Sequence, residues 1–360
     1  MRLIVAARAN GRRLRMQRTT PAWLLVCLAL LAGCTRPALH QQESYVFGTR
    51  VEVLVHGEDR EKAREAAAAV LREFDRLHRK LHAWQPSELT RLNEAIATGA
   101  TAEVDGELAA ILSDTKRIAM RSGDLFNAAI GRLIGLWGFQ SDEFKPVLPP
   151  SDEVARLVQA RPAMSDLEID GLRVGSGNRE VRLDLGGYAK GYALDRAAAI
   201  LRGSGIRNAL INVGGNVMAL GSKGGQPWRV GIQDPRGPAP VATLELRDGE
   251  AIGTSGDYQR YFELDGLRYC HILDPRTGRP AAGTRAVTVL VTARPGAGAL
   301  SDAASKPLFV AGREGWRQFA RDLDIDHALR IDADGSIAVT RALWSRLEPA
   351  QDGLRTEIIE

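Results

Sequence analysis

The order of its secondary-structure signals restricts this chain more than any other feature. Helical periodicity fills the first part, and short strands follow from about Asp166 with no regular alternation of strand and helix. A doubly wound parallel sheet needs that alternation. The pattern therefore predicts an α+β protein: mixed, largely antiparallel sheets with flanking helices. Ala63, Ala66, Ala67, Val70, Phe74, Leu77 and Leu81 recur at steps of three and four, predicting a helix over 59–81. Leu108, Ile111, Leu112, Thr115, Ile118 and Ala119 predict a second over 106–122, stopped by Gly123. Pro149-Pro150-Ser151 opens a third, shorter helix with Ser151 as its cap. Further helices are expected over 189–201 and 300–310. Strands are expected over 45–55 (interrupted at Gly48), 167–170, 172–174, 181–185, 209–213, 217–220, 228–232, 241–246, 286–291, 327–331 and 336–339.

The first 33 residues stand apart, with six arginines, no acid, and an apolar run over 22–31 too short to span a bilayer. A basic start, a short apolar core and small residues before a cut describe a secretory signal. Leu31-Ala32-Gly33-Cys34 resembles the lipobox of bacterial lipoproteins, which implies cleavage before Cys34 and lipid on its sulfur. The expected divisions are a signal over 1–33, a lipidated tether over 34–43, one domain over 44–345 with two lobes as the alternative, and a tail over 346–360. The expected location is a bacterial membrane, lipid-anchored and facing the periplasm. Setting the signal aside turns the net charge from +4 to −2, which removes the case for nucleic-acid binding. Only Cys270 remains in the body, so neither a disulfide framework nor a cysteine zinc site can form.

Four stretches hold more glycine and polar residues than a core needs. In Leu183-Asp184-Leu185-Gly186-Gly187-Tyr188-Ala189-Lys190-Gly191-Tyr192-Ala193-Leu194-Asp195 a strand delivers an aspartate, two glycines turn, and a helix begins. Its first N–H groups and early lysine would cradle a phosphate, though a plain strand–turn–helix connection reads the same way. The spacing is neither the Walker motif nor the dinucleotide fingerprint. Ile211-Asn212-Val213-Gly214-Gly215-Asn216 fits a tight hairpin or a close backbone approach to a ligand. Cys270-His271-Ile272-Leu273-Asp274-Pro275-Arg276-Thr277-Gly278 ends a strand on a histidine. That side chain suits proton transfer near neutral pH, and a backbone carbonyl can equally satisfy it. Ser301-Asp302-Ala303-Ala304-Ser305-Lys306 places an acid and small residues at a helix start, able to offer oxygens to Mg²⁺ or simply to cap and pack.

Together, and behind the lipobox, these stretches resemble the ApbE family of Mg²⁺-dependent FAD:protein FMN transferases. Phe47-Gly48-Thr49, Trp84-Gln85-Pro86-Ser87-Glu88-Leu89 through Asn93, Ser122-Gly123-Asp124-Leu125-Phe126-Asn127 and Leu136-Trp137-Gly138-Phe139 extend the resemblance over 45–312. It implies a single catalytic domain with a T-fold-related architecture. It also implies that FAD is cleaved, AMP leaves, and FMN is joined to a Thr or Ser hydroxyl of an exported acceptor protein. Position by position, the resemblance implies that Trp84 stacks on the isoalloxazine and that Phe47, Leu125, Phe126, Asn127, Asp184, Lys190 and Ile272 contact FAD. Gly187, through its carbonyl, and Asp302 fall at metal positions. His271, with Asp184 as the alternative, falls where the proton is handled.

Two positions depart from that pattern. Asn127 replaces an aspartate, and Lys306 replaces a threonine metal ligand. An ammonium has three donors and no acceptor, so it cannot coordinate Mg²⁺. Ser305 is the nearest substitute, about 100° away around the helix. Lys306 lies one turn from Asp302, within reach of its carboxylate. The competing readings are a metal-dependent FAD pyrophosphatase, with water replacing the acceptor hydroxyl, and a lipoprotein that binds FAD without chemistry.

Overall fold

Alternating apolar residues build one long sheet in the computed structural model, which describes residues 38–141, 143–350 and 355–360. The signal segment, Cys34 and the start of the tether lie outside the described residues. The chain opens with a hairpin of β1 (Leu39–Val46) and β2 (Thr49–His56). Helices α1 (Arg60–Lys80), α2 (Glu88–Thr98), α3 (Gly106–Arg121), α4 (Gly131–Leu136), α5 (Ser151–Ala160) and α6 (Ala189–Gly203) follow. Next come β3 (Ala209–Val213), β4 (Asn216–Leu220), β5 (Trp228–Gln233), β6 (Pro240–Leu246), β7 (Ala251–Gly256), β8 (Tyr261–Leu264), β9 (Leu267–Cys270) and β10 (Thr284–Val291). The last elements are α7 (Ala297–Asp322), β11 (His327–Asp332), β12 (Ile337–Thr340), α8 (Arg341–Trp344), β13 (Leu347–Pro349) and β14 (Thr356–Ile359).

The main sheet has the order β1-β2-β3-β4-β7-β10-β11-β12-β14, and only its final pair is parallel. Strand β10 shows why it forms a middle layer. Val287, Val289 and Val291 face the core under α1, α6 and α7, while Ala286 and Leu290 face a second core. That second core is closed by a small antiparallel sheet of β5, β6 and β13, which contributes Trp228, Leu244 and Leu246. The described residues from 38 onward cluster as one compact unit. Cys270 is buried and free, in keeping with a body held by packing alone.

Several local expectations change. The strand expected over 45–55 is a hairpin that begins at Leu39, inside the expected tether. Its turn is the pair Phe47 and Gly48, both left-handed (φ +58 and +67), the backbone a two-residue hairpin requires. Helix α2 has no counterpart in the sequence reading, although Ser87 and Thr90 form a capping box at its start. Ser151 is the first helical residue of α5 and not its cap; Pro150 precedes it and no side chain caps that end. Residues 181–185 form no regular strand; their one β-bridge joins Arg182 to Ile130. Helix α7 continues past Val310 to Asp322, bent at Gly312 (φ 62, ψ −159). The expected tail supplies β13 and β14, so it belongs to the fold.

Candidate active site

The glycine-rich turn before α6 is set by long-range backbone contacts. Asp184 N–H donates to the Ala128 carbonyl (2.8 Å), and Arg182 exchanges bonds with Ala129 and Gly131. Asn93 on α2 grips the same segment from the other side: its amide donates to the Leu183 carbonyl (2.9 Å) and accepts the Leu183 N–H (2.6 Å). Asp184 is thereby presented partly exposed, accepting from Gly186 N–H and from Gln140 Nε2, each at 2.9 Å. Tyr188 then precedes α6 as its N-cap residue, and no side chain caps that end.

Helices α6 and α7 cross at a glycine pair. A Cβ on Gly191 would lie 2.2 Å from the Gly298 carbonyl oxygen, and one on Gly298 would lie 2.4 Å from the Gly191 oxygen. On its other side α7 rests on β7 at Gly253, where a Cβ would lie 2.4 Å from the Ser301 oxygen. Only residues without side chains allow this approach. It lets Asp195 accept from Gly298 N–H (2.9 Å) and Ala299 N–H (2.8 Å), capping α7. It also lets the buried Asp302 accept from Gly191 N–H (2.9 Å). Burial pushes the Asp195 carboxyl up to about 6.

Lys306 reaches Asp302 across one helical turn, as its spacing predicts. Its Nζ pairs with Asp302 Oδ1 and donates to the Asp302 carbonyl at 2.8 Å. Its Cε lies 3.4 Å from where a Gly187 Cβ would stand, with the Phe126 ring beside the same point. Burial raises the affinity of Asp302 for a proton, but Lys306 and Lys190 outweigh it and keep the carboxyl below its ordinary range. Ser305 does not substitute as a metal ligand. Its hydroxyl is buried, bonded to Ser255 Oγ on β7 and to the Asp302 carbonyl, both at 2.7 Å. The metal set expected from Gly187, Asp302 and Ser305 therefore does not assemble: one donor faces away, and an ammonium occupies the carboxylate. Among the described residues, no three His, Cys, Asp or Glu side chains form a metal-binding group.

His271 follows β9. Its backbone N–H (3.0 Å) and its Nδ1 (3.1 Å) both meet the Arg260 carbonyl, which can only accept. Nδ1 therefore carries the proton and Nε2 holds a lone pair. Burial, with the positive charges of Arg260, Lys190 and Lys306, pushes this imidazole down to about 3. Arg260 is itself placed by the Phe139 and Ser141 carbonyls (2.8 and 3.2 Å), and the Phe139 ring stands edge-on to His271. The residue between them, Gln140, holds Asp184. One loop thus ties the two proton-transfer candidates together.

The aromatic candidates line up beside α1. Phe47 meets His78 edge-on (5.6 Å between centroids), His78 meets His82 (5.0 Å), and His82 meets Trp84 edge-on (4.5 Å). The Phe47–Gly48 turn approaches Arg260, whose Nη1 is 4.0 Å from the position of a Gly48 Cβ. Leu125, Phe126 and Ile272 are buried. Asn127 is spent on the backbone, donating to the Pro162 carbonyl and accepting Ala129 N–H, each at 2.9 Å. It shapes the loop. Sequence reasoning missed His78, His82, Arg260, Gln140 and Asp195; only Asp195 carried a signal, as the last residue of the glycine-rich stretch.

The ApbE family model matches residues 47–329. A protein of Rhodobacter capsulatus named FAD:protein FMN transferase is 45% identical over 353 residues, which are 97% of this chain and 66% of that protein. The chain thus spans about two thirds of that relative's length. One of the same name from Vibrio cholerae is 32% identical, covering 75% of this chain and 82% of its own length. The crystal structure of the ApbE protein of Thermotoga maritima superposes with a TM-score of 0.78 at 31% identity, over 86% of this chain and 99% of its own.

Proposed function

Because the chain belongs to the ApbE family, we propose that it transfers FMN from FAD to a Thr or Ser hydroxyl of an exported acceptor protein and releases AMP. The acceptor oxygen attacks the FMN-side phosphorus, the bond to the AMP-side oxygen breaks, and the hydroxyl proton passes to His271 Nε2. Such a transfer demands little covalent chemistry from the protein. It requires a placed base and neutralised phosphate charge. The observation that carries this reading is the backbone-anchored His271 ring, together with Lys306 packed against the Gly187 turn into α6 and Lys190 in the first turn of that helix. Lys190 and the first N–H groups of α6 favour an anion there, and the indole of Trp84, propped edge-on by His82, offers a flat face for an aromatic ring.

The test is incubation of residues 38–360 with FAD and a Thr-containing acceptor, read by intact mass and by chromatography of the nucleotide released. Equal FMN–protein adduct and AMP is the expected outcome; free FMN with AMP and no adduct would identify a hydrolase instead. Cys34 provides the membrane anchor in this proposal, supported by the lipobox-like Leu31-Ala32-Gly33-Cys34 behind an arginine-rich start. Among the described residues no helix is long and apolar enough to cross a membrane. Loss of membrane fractionation in Cys34→Ala is the expected result, and retention refutes the anchor.

A further inference from the structure

The Asp302–Lys306 pair has no counterpart in a divalent-cation site. Each oxygen of Asp302 already has a donor from the chain: Lys306 on Oδ1, Gly191 N–H on Oδ2, and Lys306 and Ser305 on the carbonyl. A hard cation such as Mg²⁺ needs several oxygens at once and prefers near-octahedral geometry. This pocket offers it a carboxylate already neutralised, beside a repelling ammonium. Without a metal these groups still leave a net positive charge to face an anion. Asp302 contributes one negative charge, Lys306 and Lys190 one positive charge each, and His271 none.

The fold holds Lys306 firmly in this place. Its helix is pinned between Gly191 and Gly253, and its stem packs against the Gly187 turn. We infer that Lys306 is the resident cation of this site: with Lys190 it neutralises the pyrophosphate of FAD, and the chain binds that substrate without a divalent metal. A lysine neutralises one phosphate oxygen as a point charge and cannot bridge ligands as a divalent ion does. Independence from metal therefore comes with weaker transition-state stabilisation than a bridging ion would give.

This inference rests on the flavin-transfer reading, and two measurements separate them. The first uses Mn²⁺ alone as a spectroscopic stand-in for Mg²⁺, titrated into FAD-free protein and followed by electron paramagnetic resonance. Wild type is expected to hold no Mn²⁺, whereas Lys306→Thr, which frees Asp302, is expected to hold one that Mg²⁺ displaces. The second measures FAD affinity in EDTA and in Mg²⁺. Wild type is expected to be unchanged within about twofold. Lys306→Thr is expected to lose about tenfold in EDTA, the scale of one charged contact, and to recover it in Mg²⁺. Stoichiometric Mn²⁺ on wild type, equal Mn²⁺ binding by the two proteins, or a wild-type FAD affinity that collapses in EDTA each overturn the inference. If the variant does not fold, both wild-type measurements still decide it. If wild type binds FAD in neither buffer, the flavin reading fails, while the Mn²⁺ titration still reports on Lys306.

Discussion

Gly191→Ala asks whether one glycine contact sets the geometry of the site. The added Cβ would stand 2.2 Å from the Gly298 oxygen and 2.6 Å from Asp302 Cβ, against an ordinary contact of at least 3.4 Å. In a close-packed interior α7 can relieve this only by withdrawing about 1 Å from α6. Overpacking of this kind costs about 1–3 kcal/mol. Lengthening the Gly191 N–H bond to the buried Asp302 carboxylate removes about 1.5–3 kcal/mol more, and alanine's better helix propensity returns about 1 kcal/mol. The net loss is about 1.5–5 kcal/mol, or a Tm lower by about 2–7 °C at the unfolding entropy of a domain this long. Activity should fall further than stability, since displacing reacting groups by about 1 Å can lower turnover about 10²-fold. Gly203→Ala is the control: it lies in the same helix with nothing within 4 Å of its Cβ, and should be neutral or stabilising by up to about 1 kcal/mol. Thermal unfolding by circular dichroism and the rate of FMN–protein formation are the assays. If Gly191→Ala melts and turns over like wild type, the glycine crossing does not position Asp302 and the reasoning fails.

The remaining predictions concern titration and binding. His271, held down to about 3 against 6.5 in an unfolded chain, contributes stability that is complete above pH 6.5 and is lost as the pH falls towards 3, because the unfolded state takes the proton first. An NMR titration of its ring should therefore show no inflection between about pH 5 and about pH 8, and one near the ordinary histidine value would contradict this. His271→Ala should lower transfer by about 10²–10⁴-fold while FAD still binds; unchanged turnover would move the base to Asp184. Asp195, pushed up to about 6, binds its proton more tightly folded than unfolded, so its contribution grows as the pH falls through 6 towards 3.8. Melting curves for Asp195→Asn should show a deficit of about 1 kcal/mol for the weakened α7 cap that widens on acidification, and a deficit that narrows would refute the assignment. Trp84→Ala should weaken FAD binding by about 1–3 kcal/mol if the ring stacks there, read by quenching of flavin fluorescence.

Short-range pattern was sufficient for much of this protein. The three-and-four spacing of Ala63 to Leu77 gave α1 to within a residue at each end, because a helix that buries one face repeats its apolar residues at a fixed angle. The apolar, β-branched run of β10 and the Gly123 stop after α3 were legible too, and the i to i+4 spacing put Asp302 within reach of Lys306, a contact the fold then makes. What the sequence could not determine lies in contacts between distant segments. Asn93 and Leu183 are 90 residues apart, yet their paired hydrogen bonds fix where Asp184 emerges. Nothing local distinguishes Gly191 and Gly298 as a crossing point from glycines that merely end a turn. Ser305 looked available to a metal until packing of α7 on β7 turned its hydroxyl to Ser255. Residues 346–360 looked like a tail because β13 and β14 are too short to show a period, and they become strands only where β6 and β12 offer edges to pair with. Local sequence sets which backbone forms are cheap. The direction of a side chain, and the groups that compete for its hydrogen bonds, depend on which surfaces the folded chain brings together.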